Sequence, residues 1–420
     1  MKNRLTGGER PLSPRYGYVI LVLMCLGIAM PSFGQYQIAG FGKEVIADYL
    51  GVELTDQQFG TLNMATFLPG VLLSLVSGLL VDRFGPRRII VIGTVLAGIG
   101  VVGRALWGSY AAILLSMFLM GVSTTFFNSN GAKILGTWFE PARASFLVGI
   151  FLAFTNLVMS LSTGMAAVFP TVEAAFTAAA VVAVVVAVLM TLLMRDRPRD
   201  PAENAADAGG ASVRECLRVC VKSRGLWLAA LCMLCMTTAA VGPIQFLPTA
   251  LQARGLEPGT ASLCGMCLTL GSTLGCLLVP AVSRLLWRPK LSMAVMGALA
   301  AVATAFSWRV ESVPLLAAAL FVTGLLTTGI SPLVASLPLR MAEIGPRYAG
   351  TAGGFVATIQ LLGNMVLPTY VVTAIAGEGN YEGMFLCFGA LMLFFCVFSV
   401  FLPIGGRAVR KADQRARAGN

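Results

Sequence analysis

The chain has 420 residues, of which 57% are hydrophobic and 12% charged; soluble domains carry about 45–50% apolar and about 25% charged residues, so a water-soluble globule is excluded, as are disordered and collagen-like chains. There is no histidine, which removes imidazole metal ligands, Ser-His-Asp triads and imidazole proton relays. The net charge of +11 suits either nucleic acid or a membrane surface, and the positions of the charges decide between them.

A membrane helix needs about 20 mainly apolar residues. Twelve such stretches are predicted, at 17–40, 58–81, 89–106, 110–137, 145–169, 173–194, 225–248, 260–283, 291–308, 314–338, 349–375 and 383–403. Their length and glycine content fit helices, whereas barrel strands would alternate over about 10 residues. The first stretch follows Lys2, Arg4, Arg10 and Arg15, as in a signal peptide. It is too long for such an apolar core, and another span soon follows, so it is taken as a helix.

With the N-terminus in the cytoplasm, 25 of the 30 Lys and Arg fall on that side. Lys43, Arg104, Arg254 and Arg309 fall outside, and Lys133 lies inside the fourth stretch. This bias predicts a multi-pass protein of the cytoplasmic membrane with both termini in the cytoplasm. It also accounts for the positive charge without nucleic acid. Trp107, Trp138, Trp227, Trp287 and Trp308 all fall at or near span ends, the pattern of an interfacial aromatic belt. Arg104 and Arg309 are expected to be interface anchors.

The longest polar segment, 195–224, divides the spans six and six. The expected organisation is an N-terminal six-helix bundle (1–194), a cytoplasmic linker (195–224), a C-terminal bundle (225–403) and a basic tail (404–420). Within the linker, Ser212-Val213-Arg214-Glu215 reads as a capping box. The residues after it predict a short basic helix lying on the membrane surface. The halves look related. A shift of 201 carries Asp82, Arg83 and Arg87 onto Ser283, Arg284 and Arg288. A shift of 203 carries Thr124, Thr125 and Asn128 onto Thr327, Thr328 and Ser331, and 204 carries Phe151, Asn156 and Ser160 onto Phe355, Gln360 and Asn364. Parallel repeats point to a transporter with its site at the repeat interface.

After the second span comes Gly78-Leu79-Leu80-Val81-Asp82-Arg83-Phe84-Gly85-Pro86-Arg87-Arg88. This resembles the G-x-L-x-D-R-x-G-x-R-R loop of the major facilitator superfamily, and with twelve spans the resemblance covers the whole chain. It implies an all-α polytopic membrane protein with 12 transmembrane helices in two six-helix pseudo-repeats, working by rocker-switch alternating access. It implies a gating loop of Gly78, Asp82, Arg83, Gly85, Arg87 and Arg88, with Asp82 capping a helix or pairing with Arg to close the inner gate. In the second copy Ser283 replaces the acid. The resemblance also implies a cavity lined by the first, fourth, fifth, seventh, tenth and eleventh spans.

Within the family, the fourth-span Arg and the fifth-span Gly-Pro motif of proton-coupled drug exporters are missing. Thr137-Trp138-Phe139-Glu140-Pro141-Ala142-Arg143 is similar to the W-F-P-x-x-R junction of organic-anion and nitrate/nitrite facilitators. Yet the nitrate porters' second-span Arg is absent from Leu68-Pro69-Gly70-Val71-Leu72. The substrate expected is a small organic anion or related polar metabolite. The alternatives are an amphipathic-drug exporter and a membrane sensor that binds solute without moving it.

Polar groups in hydrocarbon tend to face a bundle interior or a water-filled cavity. Candidate substrate contacts are Gln35 and Gln37 in the first span, Asn128, Asn130 and Lys133 in the fourth, Asn156 and Ser160 in the fifth, Gln245 in the seventh, and Gln360 and Asn364 in the eleventh. Each could instead be interhelical glue. Lys133 could hold an anion or snorkel to the inner surface. No acidic residue falls deep in a predicted span, which favours exchange or uniport over proton symport. Cys232-x-x-Cys235 and Cys264-x-x-Cys267 have zinc-like spacing but lie in apolar spans, where packing explains them. No catalytic site, metal or cofactor is expected. The expected partners are a small-molecule substrate and the bilayer, with the protein acting as a monomer.

Overall fold

The computed structural model describes residues 16–196, 218, 220–285, 289–335 and 345–402, with backbone alone at 75, 78, 79, 82, 141, 142, 145, 279–285, 289–292, 333, 335 and 345–351. The tail from 404, Trp287 and most of the predicted surface helix fall outside this set, as do the side chains of Asp82, Ser283 and Arg284.

The described chain is helical: α1 (Tyr16–Phe41), α2 (Lys43–Leu50), α3 (Asp56–Met64), α4 (Phe67–Phe84), α5 (Pro86–Leu106), α6 (Tyr110–Trp138), α7 (Pro141–Thr163), α8 (Val172–Leu193), α9 (Arg224–Ala253), α10 (Pro258–Leu285), α11 (Pro289–Phe306), α12 (Val313–Gly329), α13 (Ser331–Ala335), α14 (Gly345–Val366), α15 (Thr373–Ala376) and α16 (Tyr381–Phe401). Nine helices among the described residues are long and apolar enough to cross a membrane, and Met293–Arg309 and Val313–Gly329 are shorter apolar helices. Their starts follow local chemistry. The hydroxyls of Ser109, Thr171 and Ser223 accept the backbone N–H three residues on, and Thr55 forms a reciprocal capping box with Gln58.

Among the described residues, several predicted spans are interrupted, the fifth of them at Gly164. The second is two helices, α3 and α4, parted at Ala65 and Thr66. There Gly121 of α6 sits so close that a Cβ would stand 2.3 Å from the Thr66 carbonyl oxygen. The tenth is parted at Ile330, between α12 and α13. The eleventh passes through a π-helical turn, Leu367–Val372, before α15. Pro368 lies at the start of that turn and cannot donate to the usual carbonyl, which favours the wider winding.

In the first half, α1 packs on α6, α7 and α8, and α5 on α6 and α8. In the second, α12 packs on α10, and α16 on α9 and α11. The halves meet along α7–α10, α4–α14 and α1–α9. The tightest approach is α10 on α12. A Cβ on Gly271 would lie 1.9 Å from the Phe321 carbonyl oxygen, and one on Gly324 1.9 Å from that of Leu268. In lipid, helices gain nothing from hiding oil in oil, so close backbone contact through small residues drives association. Thr328 Oγ1 adds a hydrogen bond to the Ser272 carbonyl at 3.0 Å across the same contact.

Gly271→Val and Gly324→Val should therefore force these helices apart, at a cost of about 1–3 kcal/mol or more. Gly353→Val, where a Cβ meets nothing within 4 Å, should be tolerated. Unfolding midpoints in detergent distinguish the three, and a Gly353 variant as damaged as the others would contradict this account of the contact.

Candidate functional site

Hydrogen bonds between the halves, among the described residues, cluster toward one end of the bundle, the end bearing Lys43. The Gln252 amide donates to the Phe41 carbonyl at 2.7 Å, and Ser262 donates to that of Thr163 at 2.7 Å. The Lys43 backbone N–H donates to Thr249 Oγ1 at 2.9 Å, and the Thr61 and Tyr370 hydroxyls lie 3.1 Å apart. Gly40 lets α1 touch α7 here, since a Cβ would stand 2.4 Å from the Thr163 carbonyl oxygen. Cβ atoms added at Gly136 of α6, Gly149 of α7 and Gly353 of α14 would meet nothing within 4 Å.

The predicted contact residues divide into two groups. Some are engaged by protein. Gln37 is fully buried, and its Oε1 accepts from Arg104 Nη2 at 2.6 Å. Asn130 donates to Ser77 Oγ and to the Phe126 carbonyl, both at 3.0 Å. Asn364 Oδ1 accepts from Thr237 at 3.0 Å and Thr238 at 3.4 Å. Ser160 donates to the Asn156 carbonyl at 3.0 Å and lies 3.4 Å from Thr273 Oγ1 of the other half.

Lys133 is half-buried and is also engaged. Among the others, Asn128 is exposed, Asn156 and Gln360 are half-buried, and Gln35 is buried. The amides of Gln35, Asn128, Asn156 and Gln360 make no hydrogen bond among the described residues. Asn156 and Gln360 lie on different seams, α7 against α10 and α14 against α4. Gln245, 4% exposed, has neither Nε2 nor Oε1 partnered. A separate cavity of ≈ 320 Å³, walled by Leu26, Met30, Phe33, Val158, Phe169 and Ala179, offers a polar solute nothing to bond.

Arg104 departs from expectation. It is not an interface anchor but fully buried. Its guanidinium donates to the Gly34 carbonyl at 2.8 Å and to Gln37, and it lies 4.3 Å from the Phe176 ring centre. The planar fork reaches two acceptors and a ring at once, which lets a cation stay at this depth. Arg309 does sit at an exposed rim, paired with Glu382. Trp308 is buried beneath Arg254 and stacks on Phe385 at 5.0 Å, whereas Trp107 and Trp227 are exposed as a belt requires.

In the gating loop Gly85 takes φ +85°, a conformation open to glycine, and Pro86 begins α5. The Arg87 backbone N–H donates to Asp196 Oδ1 at 2.8 Å. A carboxylate thus caps α5, but it comes from the far end of α8. Arg83 lies over the Phe84 ring at 5.3 Å, and Arg88 is exposed.

The family model for the Major Facilitator Superfamily matches residues 16–368. The chain belongs to the major facilitator superfamily. It is a membrane-embedded transporter of small molecules, not an enzyme. A probable sulfoacetate transporter of Cupriavidus necator is 24% identical over 402 residues, covering 89% of this chain and 91% of that protein. A probable nitrate/nitrite transporter of Mycobacterium tuberculosis is 31% identical over 103 residues, 24% of this chain and 26% of that one. The crystal structure of a bacterial homologue of the human lysosomal transporter Spinster, inward-facing and unoccupied, superposes with a TM-score of 0.67 at 16% identity, covering 93% of this superfamily chain and 96% of that one.

Arg104→Lys should lower the unfolding midpoint clearly, because one ammonium cannot replace the fork. Buried hydrogen bonds to charged groups are worth about 1.5–3 kcal/mol. Arg309→Lys at the exposed rim should change it little, as such pairs contribute about 0–1 kcal/mol. Equal midpoints for the two variants would contradict the structural role given to Arg104.

Proposed function

We propose that this transporter moves a small organic anion, carrying a carboxylate or sulfonate, across the cytoplasmic membrane by alternating access. Two six-helix bundles, 1–194 and 225–403, rock about a site on their seam, and one chain suffices. The observation that carries this reading is Gln245. A buried amide with both polar atoms unpartnered costs about 1–3 kcal/mol, a cost removed when a solute completes its bonds. Gln35, Asn128, Asn156 and Gln360 add further amides, each able to donate to an oxyanion. Lys133 is the cation among the candidate contacts. The Cupriavidus necator relative, a probable sulfoacetate transporter that matches along nearly the full length, supports the anion class. The nitrate reading rests on a quarter of the chain, and the arginine expected for it in the second span is missing.

The positive-charge bias puts the Lys43 end outside. With that orientation, the bonds gathered there support a state closed to the outside. The loop from Gly78 to Arg88 then lies on the cytoplasmic side. Asp82 closes that side in the opposite state, so Asp82→Asn should slow transport without loss of insertion.

Purified protein screened by thermal shift should be stabilised by small carboxylates or sulfonates and not by cations of similar size. In liposomes loaded with the best of these, Gln245→Leu and Asn156→Leu should weaken binding by about 1–3 kcal/mol per lost partner, and Lys133→Gln should raise KM while Lys133→Arg retains function. Intact affinity in all three, with only stability reduced, would make these residues glue and remove the anion site. Asn364→Leu is the contrasting case: its bonds to Thr237 and Thr238 make lost stability the expected result.

A further inference from the structure

One carboxylate stands apart from the neutral bonds at the Lys43 end. Asp56 is the first residue of α3 and is fully buried. Its Oδ1 accepts from Lys43 Nζ at 2.8 Å and from the Tyr381 hydroxyl at 3.2 Å. Its Oδ2 accepts from the Gly379 backbone N–H at 2.8 Å, and its own N–H donates to Glu378 Oε1. Lys43 Nζ also lies 3.8 Å from that Glu378 oxygen. Lys43 and Asp56 belong to the first half; Glu378, Gly379 and Tyr381 belong to the second. The loop reaches Asp56 through Gly377 and Gly379, at φ +88° and +72°, where a side chain would be strained.

We propose that Asp56 is an ionic latch holding the Lys43 end closed, so that its charge sets the balance between the two states of the alternating-access cycle. The proposal rests on the transport reading given above. Hydrogen bonds to an ionised acceptor are roughly twice as strong as neutral ones, and among the described residues the other hydrogen bonds between the halves are neutral. The division of partners suits a reversible closure. When the halves part, Asp56 loses Tyr381, Gly379 and Glu378 to water but keeps Lys43 and the α3 N-terminus. Opening therefore strands no charge in the interior, the outcome that makes broken buried pairs so costly. The adjoining elements can yield. α3 is separated from α4, and the π-helical turn of the eleventh span packs against α3, with Thr369 facing Gly60.

Two spin-label pairs in a cysteine-free background test this. Val52 with Glu257 reports the Lys43 end, and Arg143 with Gly353 the opposite end; all four positions are exposed, and each pair spans the halves. Asp56→Asn should increase the fraction with a long Val52–Glu257 distance about threefold or more, with a matching short population for Arg143–Gly353. Tyr381→Phe, which deletes one hydroxyl and keeps the ring, should shift both distances in the same direction by less, and it carries the test if Asp56→Asn does not fold. Distances identical to wild type in both variants, even with a lowered unfolding midpoint, would reduce Asp56 to a structural staple and overturn the latch. A wild type whose two distances never change reciprocally, with or without a stabilising anion, would overturn alternating access itself and the latch with it.

Discussion

Hydrocarbon offers no hydrogen bonds, so every polar group inside this bundle must find a partner in the protein or in something the protein binds. Most of the architecture can be read from how that demand is met. Threonine and serine hydroxyls along α6, α9, α10 and α12 return to the carbonyl one turn back, as at Thr125, Thr237, Ser272 and Thr323. Arg104 meets the demand with a carbonyl, an amide and an aromatic face. Gln245, with neither side-chain atom bonded among the described residues, leaves the demand unmet.

The same demand sorts asparagines and glutamines that look alike in sequence. Asn364 and Gln360 are one helical turn apart, yet Asn364 faces the threonines of α9 whereas the Gln360 amide makes no bond among the described residues. Gln35 and Gln37 lie on nearly opposite sides of α1. The second turns toward Arg104, and the first stays without a bond. One face of each helix builds the bundle and the other faces the seam. The transporter therefore uses one residue chemistry both as glue and as candidate site.

The spans were legible because a membrane imposes length and apolarity over a long window, a signal that averages over many residues. The family was legible because the loop from Gly78 to Arg88 concentrates small and charged residues at fixed spacing. What escaped the sequence depends on distant pairs. Nothing around Arg104 announces Gly34 and Phe176 as its partners. Asp56 reads as a loop-end acid until the loop from Gly377 to Tyr381 closes over it from 322 residues away. The interruption at Thr66 depends on Gly121 of another helix. Nothing in the loop from Gly78 to Arg88 announces Asp196, which reaches the start of α5 because α8 ends beside it.

That last contact bears on how the polypeptide is divided. Asp196 stays with the first bundle and completes the start of α5, while Ser223 stays with the second and completes the start of α9. Both helix ends are thus furnished from their own side of the linker. Nearer α9 the chain is tied down further: Cys220 is buried in the same apolar cluster as Leu226, and the Val221 carbonyl accepts from the Trp227 indole. A backbone break placed after Asp196 and before Cys220 would spare all of these bonds, and the contacts left between the two pieces would be those along α1–α9, α4–α14 and α7–α10.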